Sequence, residues 1–176
     1  TTVALGFYLD NQRVHVGDLT PMTDHAFQAW RTDTTNGLDS IMLAPTRQLV
    51  AELNQRARTH RLASLPDGAH PGREVRLADG CQASVGDNVI TRTNDRRLRI
   101  SRTDWVKNGD RWIIRQTSSR GDLHVRHSAT GRLVTLPHDY VATSVELGYA
   151  TTVHTAQGVS VDTMHGVSTG DETRQQ

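Results

Sequence analysis

The stretch GYATTVHTAQGVS, residues 148–160, sets small apolar residues before Thr151-Thr152-Val153-His154, with Gln157-Gly158 close behind. Read locally, it is a short strand whose carboxyl end breaks into a helix start, with Thr155 as the N-cap. In an open α/β sheet, ligands gather at such strand ends, where the free N–H groups of a helix point at an anion. SIMLAPTRQ, residues 40–48, repeats that grammar, with Thr46 at the cap position. Each threonine alone reads first as a helix cap. Two such turns on one sheet would offer an anion two sets of hydroxyls and N–H groups.

The surrounding pattern is α/β. Residues 20–37 read as a helix capped by Thr23, with Met22, Phe27 and Trp30 on one face and Asn36-Gly37 as the stop. Residues 40–46 form a continuous apolar strand of the kind buried on both faces of a parallel sheet. A helix from Thr46 follows, with Leu49, Val50, Leu53, Ala57 and Leu62 near helical spacing. A strand is expected around residues 13–16 and another across residues 162–169. Between Gly86 and Glu146 the helical period disappears. Short strands alternate there with turns at Asn108-Gly109-Asp110, Arg120-Gly121-Asp122 and Thr130-Gly131, a meander expected to close into a small barrel. The expected organisation is an α/β domain over residues 1–85 and 146–176, interrupted by an all-β insert at residues 86–145.

Composition narrows the function classes. The net charge of the 176 residues is +1, yet from Arg92 to Arg120 nine basic residues face only Asp95, Asp104 and Asp110. Such a run reads either as a solvated face or as a surface that follows a nucleic-acid backbone. Trp105 and Trp112 flank its centre; an exposed Trp105 suits base stacking, whereas Trp112 beside Ile113-Ile114 suits core packing. Cys81 is the one cysteine, which excludes an intramolecular disulfide and a multi-cysteine zinc site. No HExxH pair, nucleophile elbow or GxxxxGK[ST] phosphate loop is present. No apolar run reaches the roughly 18 residues of a membrane helix, and no signal-peptide pattern opens the chain; a cytoplasmic protein without a membrane partner is expected. The opening TTVALGFYLD and closing TGDETRQQ read as the ends of an excised piece of a longer polypeptide.

These residues resemble superfamily 1 DNA helicases. GYATTVHTAQGVS is similar to their motif V, in the Gln-Gly form of RecD-like helicases and of the helicase half of conjugative relaxases of the TraA and TraI type. SIMLAPTRQLVAELNQRAR resembles a strand-helix unit of their second RecA-like motor domain, of P-loop NTPase type. VGDNVITRTNDRRL with VKNGDRW resembles the Src-homology-type barrel inserted in that domain. The resemblance implies that Thr152 and His154 contact single-stranded DNA, with Thr46 and Arg47 at the DNA-facing end of their strand; Arg96 and Arg97 are DNA-contact candidates from the arginine-rich section itself. Gln157 and Gly158 would face the nucleotide cleft. Ser160 stands where many relatives carry an acidic residue, so a ribose contact is not implied. The resemblance further implies ATP and Mg²⁺ as cofactors of the parent protein, none for this piece alone, and the first motor domain as partner. Walker motifs and the motif VI arginine are missing, so no catalytic residue is assigned. Two other readings use the arginine-rich section alone, as a non-catalytic nucleic-acid-binding module or as a protein-docking module.

Overall fold

The computed structural model describes residues 16–156 and 158–167, with side chains from residue 21 onward. Two compact units divide them. One comprises residues 16–59, 149–156 and 161–167; the other comprises residues 60–148 and 158–160.

The first unit is built on β1 (Ser40–Ala44), in which all five residues are buried. β1 lies between β11 (Ala150–Thr152) and β12 (Thr163–Gly166), parallel to both. A strand paired on both edges and covered on both faces has no side left for polar residues, which accounts for the run Ile41-Met42-Leu43. Each of these fully buried side chains contributes about 1.5–3 kcal/mol of apolar transfer free energy.

Helix α1 (Val16–Thr35) buries Thr23, Ala26, Phe27 and Trp30, the stripe that a 3.6-residue period presents to a sheet. The expected start at Thr23 is therefore corrected. Thr23 lies inside the helix, and its small side chain packs on the buried stripe rather than capping an end. The strand expected around residues 13–16 falls mostly outside the described residues, and Val16 itself begins α1. The stop at Asn36-Gly37 is as expected. Gly37 adopts φ +83°, its N–H bonds Thr34 O, and the Leu38 N–H bonds Asp33 O, the paired closure of a glycine-ended helix. Helix α2 (Arg47–Ala63) buries Leu53, Asn54, Ala57 and Arg58.

The second unit is mainly antiparallel. β4 (Asn88–Thr91), β7 (Arg111–Thr117), β8 (Leu123–His127), β9 (Leu133–Leu136) and β10 (Val145–Leu147) form one sheet in the order β10-β4-β7-β8-β9. β2 (Val75–Arg76) pairs with β3 (Gln82–Ala83), and β5 (Asp95–Arg99) with β6 (Trp105–Val106). The turn signals hold, since Gly109, Gly121 and Gly131 all have positive φ between these strands. Closure into a barrel does not appear in the pairing: β9 and β10 are the edges of an open sheet among the described residues.

One helix was hidden in this section. α3 (His138–Ser144) follows Pro137 and buries Tyr140, Val141 and Ser144. At seven residues it spans two turns, too short for a periodicity signal to rise above the strands around it.

β10 belongs to the antiparallel sheet and β11 to the parallel one, with Gly148 and Tyr149 between them. The Gly148 N–H bonds Asn88 O at 2.9 Å, and buried Arg111 donates to Gly148 O from Nε and Nη2, at 3.2 and 3.0 Å. A Cβ at Gly148 would stand 2.8 Å from Val89 C and 3.0 Å from Val89 O. Crowding by backbone, not a left-handed φ, demands glycine here. Gly148→Ala is expected to lower stability by roughly 1–3 kcal/mol, the usual cost of overpacking, measured as a drop in the denaturant midpoint. An unchanged midpoint would contradict the close approach.

Candidate nucleic-acid interface

The pairing of β1 with β11 sets Ala44 opposite Thr152. Both strands run the same way, so Pro45-Thr46-Arg47 and Val153-His154-Thr155 leave the sheet at one end. That is the juxtaposition expected for two anion-facing turns on one sheet.

The two turns are built differently. Thr46 caps α2: its Oγ1 accepts the Leu49 N–H at 3.2 Å, and its carbonyl accepts the Val50 N–H at 3.1 Å. Thr155 caps no helix among the described residues, a correction to the sequence reading. Its Oγ1 lies 2.6 Å from Thr151 Oγ1 and 2.7 Å from Thr152 Oγ1, and its N–H bonds Thr152 O. Three adjacent hydroxyls close the turn on themselves and leave the Thr155 side chain committed. Gly158 follows at φ +86°, outside the right-handed helical region, and the chain enters β12 instead.

The outer edge of β11 is held by a side chain. The Met42 N–H bonds Tyr149 O at 3.0 Å. Alternate residues of a strand direct their N–H and C=O to opposite edges, so those of Ala150 point away from β1. Buried Asn54 of α2 meets both, its Oδ1 accepting the Ala150 N–H at 2.8 Å and its Nδ2 donating to Ala150 O at 3.4 Å. The side-chain amide thus takes the place of a neighbouring strand. Tyr149 is fixed as well, with its ring edge-on to Trp30 at 5.8 Å.

Exposure differs among the expected contact residues. Thr46, Arg47 and His154 are exposed, and Thr152 is half-buried with its hydroxyl in the turn. The His154 ring has no partner among the described residues. Gly158 is exposed, while Gln157 lies outside the described residues.

Arg96 and Arg97 belong to the second unit, exposed on β5. Arg97 is taken up by Asp95, whose carboxyl it holds below the usual carboxylate range through side-chain hydrogen bonds. The Arg96 guanidinium lies over the Trp105 ring, 4.7 Å from its centroid, and the Lys107 ammonium stands 5.4 Å from the same ring. Lys107 also pairs with Asp104 and keeps its carboxyl depressed. Trp105 is half-exposed, whereas Trp112 is fully buried, its Nε1–H donating to Thr91 Oγ1, as its neighbours suggested.

One cluster escaped the sequence reading. Asp33 Oδ2 accepts Thr163 Oγ1–H at 2.7 Å and lies 2.6 Å from His165 Nε2. Asp33 continues the inward stripe of α1 from Trp30, while Thr163 and His165 alternate along β12. The three meet only through a contact more than 120 residues long in sequence, which no local pattern signals. The hydrogen bonds from His165 and Thr163 hold the Asp33 carboxyl below its usual range.

Among the described residues, no group of three or more His, Cys, Asp or Glu side chains could hold a metal ion, and no helix is long and apolar enough to cross a membrane. Of the pair expected at a nucleotide cleft, only Gly158 is described.

No protein-family model and no curated protein matches the chain. Solved structures similar to the chain include two at 14% identity over 93% of this chain. One is a Pif1 helicase from work on unwinding of forked duplex DNA by two coordinating Pif1 helicases, with a TM-score of 0.45. The other is a Bacteroides sp. Pif1 in complex with ADP-AlF4, with a TM-score of 0.46. The chain spans 39% and 41% of their respective lengths. At this degree of overlap the likeness assigns neither fold nor function.

Two outcomes test the construction of the site. Asn54→Ala leaves the Ala150 N–H and C=O without this partner and is expected to lower stability by about 1–3 kcal/mol for each group left dry, read from denaturant melts. Asp33 has a depressed folded-state pKa, so its contribution is complete above the ordinary carboxylate value and is lost as pH falls through the lower one. The melting-temperature advantage of wild type over Asp33→Asn should therefore be full at about pH 6 and vanish by about pH 2. An advantage independent of pH would contradict the ionic role.

Proposed function

We propose that this chain is part of an ATP-dependent superfamily 1 DNA helicase or translocase, in the setting of a conjugative relaxase, and supplies part of its single-stranded-DNA surface. In this reading residues 1–85 and 146–176 belong to a RecA-like second motor domain, and residues 86–145 to its Src-homology-type insert. ATP and Mg²⁺ act in the parent protein, where a first motor domain completes the cleft that Gln157 and Gly158 face. The chain contains no GxxxxGK[ST] loop, so ATP turnover by it alone is not expected.

The observation that supports this reading is the common exit of Thr46-Arg47 and Val153-His154 from one end of a parallel sheet. A motor that ignores sequence must hold phosphates and sugars, and hydroxyls, backbone N–H groups and cations at a strand end suit that task. A loop continuing from His154 to Gly158 would let nucleotide state move the DNA groove, since the same few residues serve both.

The test is fluorescence anisotropy of labelled oligo-dT titrated with the chain at two salt concentrations. Salt-sensitive binding, weakened roughly tenfold by His154→Ala, is expected. Binding that ignores the variant and falls with Arg96→Gln/Arg97→Gln would favour the second reading, a module working through the β5–β6 surface. The contact of Arg96 with half-exposed Trp105 is the observation behind that alternative.

A further inference from the structure

The second unit carries a cavity of about 340 Å³ between β2, the turn at residues 118–121 and α3. Arg73, Arg76 and Arg120 line it, with Ser118, Ser119 and His138. All three arginines are exposed, and none of their guanidiniums has an ion pair or hydrogen bond among the described residues. Glu74 is the one carboxylate in the lining.

Four other arginines of this unit are held by partners within it. Arg61 pairs with Asp87, Arg92 with Glu146 and Arg97 with Asp95, while Arg111 is spent on Gly148 O. His138 is also balanced, 3.4 Å from Asp122 and 3.0 Å from Asp139. The three cavity arginines are gathered around one concavity with no ion pair of their own among the described residues. Like charges around one concavity raise its positive potential, and guanidinium forks match phosphate oxygens in pairs. Ser119, at the same turn, adds a hydroxyl that can donate to such an oxygen.

We propose that this groove binds phosphate groups of a single-stranded nucleic-acid backbone, through Arg73, Arg76 and Arg120. The choice of a nucleic-acid strand as the source of the phosphate rests on the function proposed above; the anion chemistry of the groove does not. It differs from the strand-end turns and from the Arg96–Trp105 surface in every residue it uses.

The experiment compares wild type with the triple variant Arg73→Gln/Arg76→Gln/Arg120→Gln. All three positions are exposed, and an unchanged melting curve shows that the variant folds. Oligo-dT affinity is expected to fall at least tenfold. The slope of log affinity against log salt should drop by about 2, at about 0.7 per phosphate contact on a single strand. His154→Ala, run beside it, separates the two ideas. Loss with the triple variant but not with His154→Ala supports the groove and counts against the strand-end reading. Unchanged oligo-dT binding overturns the proposal. If pyrophosphate then raises the melting temperature of wild type and not of the variant, the groove takes small anions instead of a strand. A wild type that binds no oligo-dT overturns the strand as ligand.

Discussion

Asn54 is the residue on which the site depends. β11 is three residues long and, among the described residues, pairs with a strand on one edge only, so Ala150 on its other edge turns its backbone groups to a side chain. A carboxamide can donate and accept at once, as a peptide does, and Asn54 uses both atoms on Ala150. Two residues further on is Thr152, and then the exposed His154. Among the described residues, it is this contact that fixes the outer side of the strand that delivers them.

The rest of the first unit follows from the same pressure to satisfy a short, buried sheet. β1 is apolar from Ile41 to Ala44 because strands flank it and α1 presses its Phe27–Trp30 stripe against the unit's core. Asp33 sits on that stripe, where an unpaired carboxylate would be costly, and Thr163 and His165 receive it. Thr46 spends its hydroxyl on α2, and Thr155 spends its own on Thr151 and Thr152. Exposed at this end of the sheet are His154, Arg47 and the first turn of α2. A polyanion with no sequence to be read suits such a surface.

How much of this was legible in the sequence depends on range. The Ile41-Met42-Leu43 run announced a strand buried on both faces, Asn36-Gly37 announced a helix end, and the glycine turns announced the hairpins, because each is decided by neighbours in sequence. The matching exits of Thr46 and His154 could be inferred from two similar strand-turn stretches. Thr23 misled because a threonine before a polar turn looks like a cap, whereas here the apolar stripe extends through it. Thr155 misled because three threonines in five residues bond one another more readily than they start a helix before Gly158. The Asn54–Ala150 and Asp33–His165 contacts, and the three-arginine groove, join distant segments and leave no local trace.

In the proposed reading, the turns at Thr46 and His154 face one ligand together. Amide hydrogen exchange, measured on the chain with and without a saturating oligo-dT strand, tests it directly. Amides at both turns, residues 46–49 and 153–156, should exchange more slowly on DNA binding, with protection rising together with strand concentration. Bound DNA that protects neither turn would contradict it.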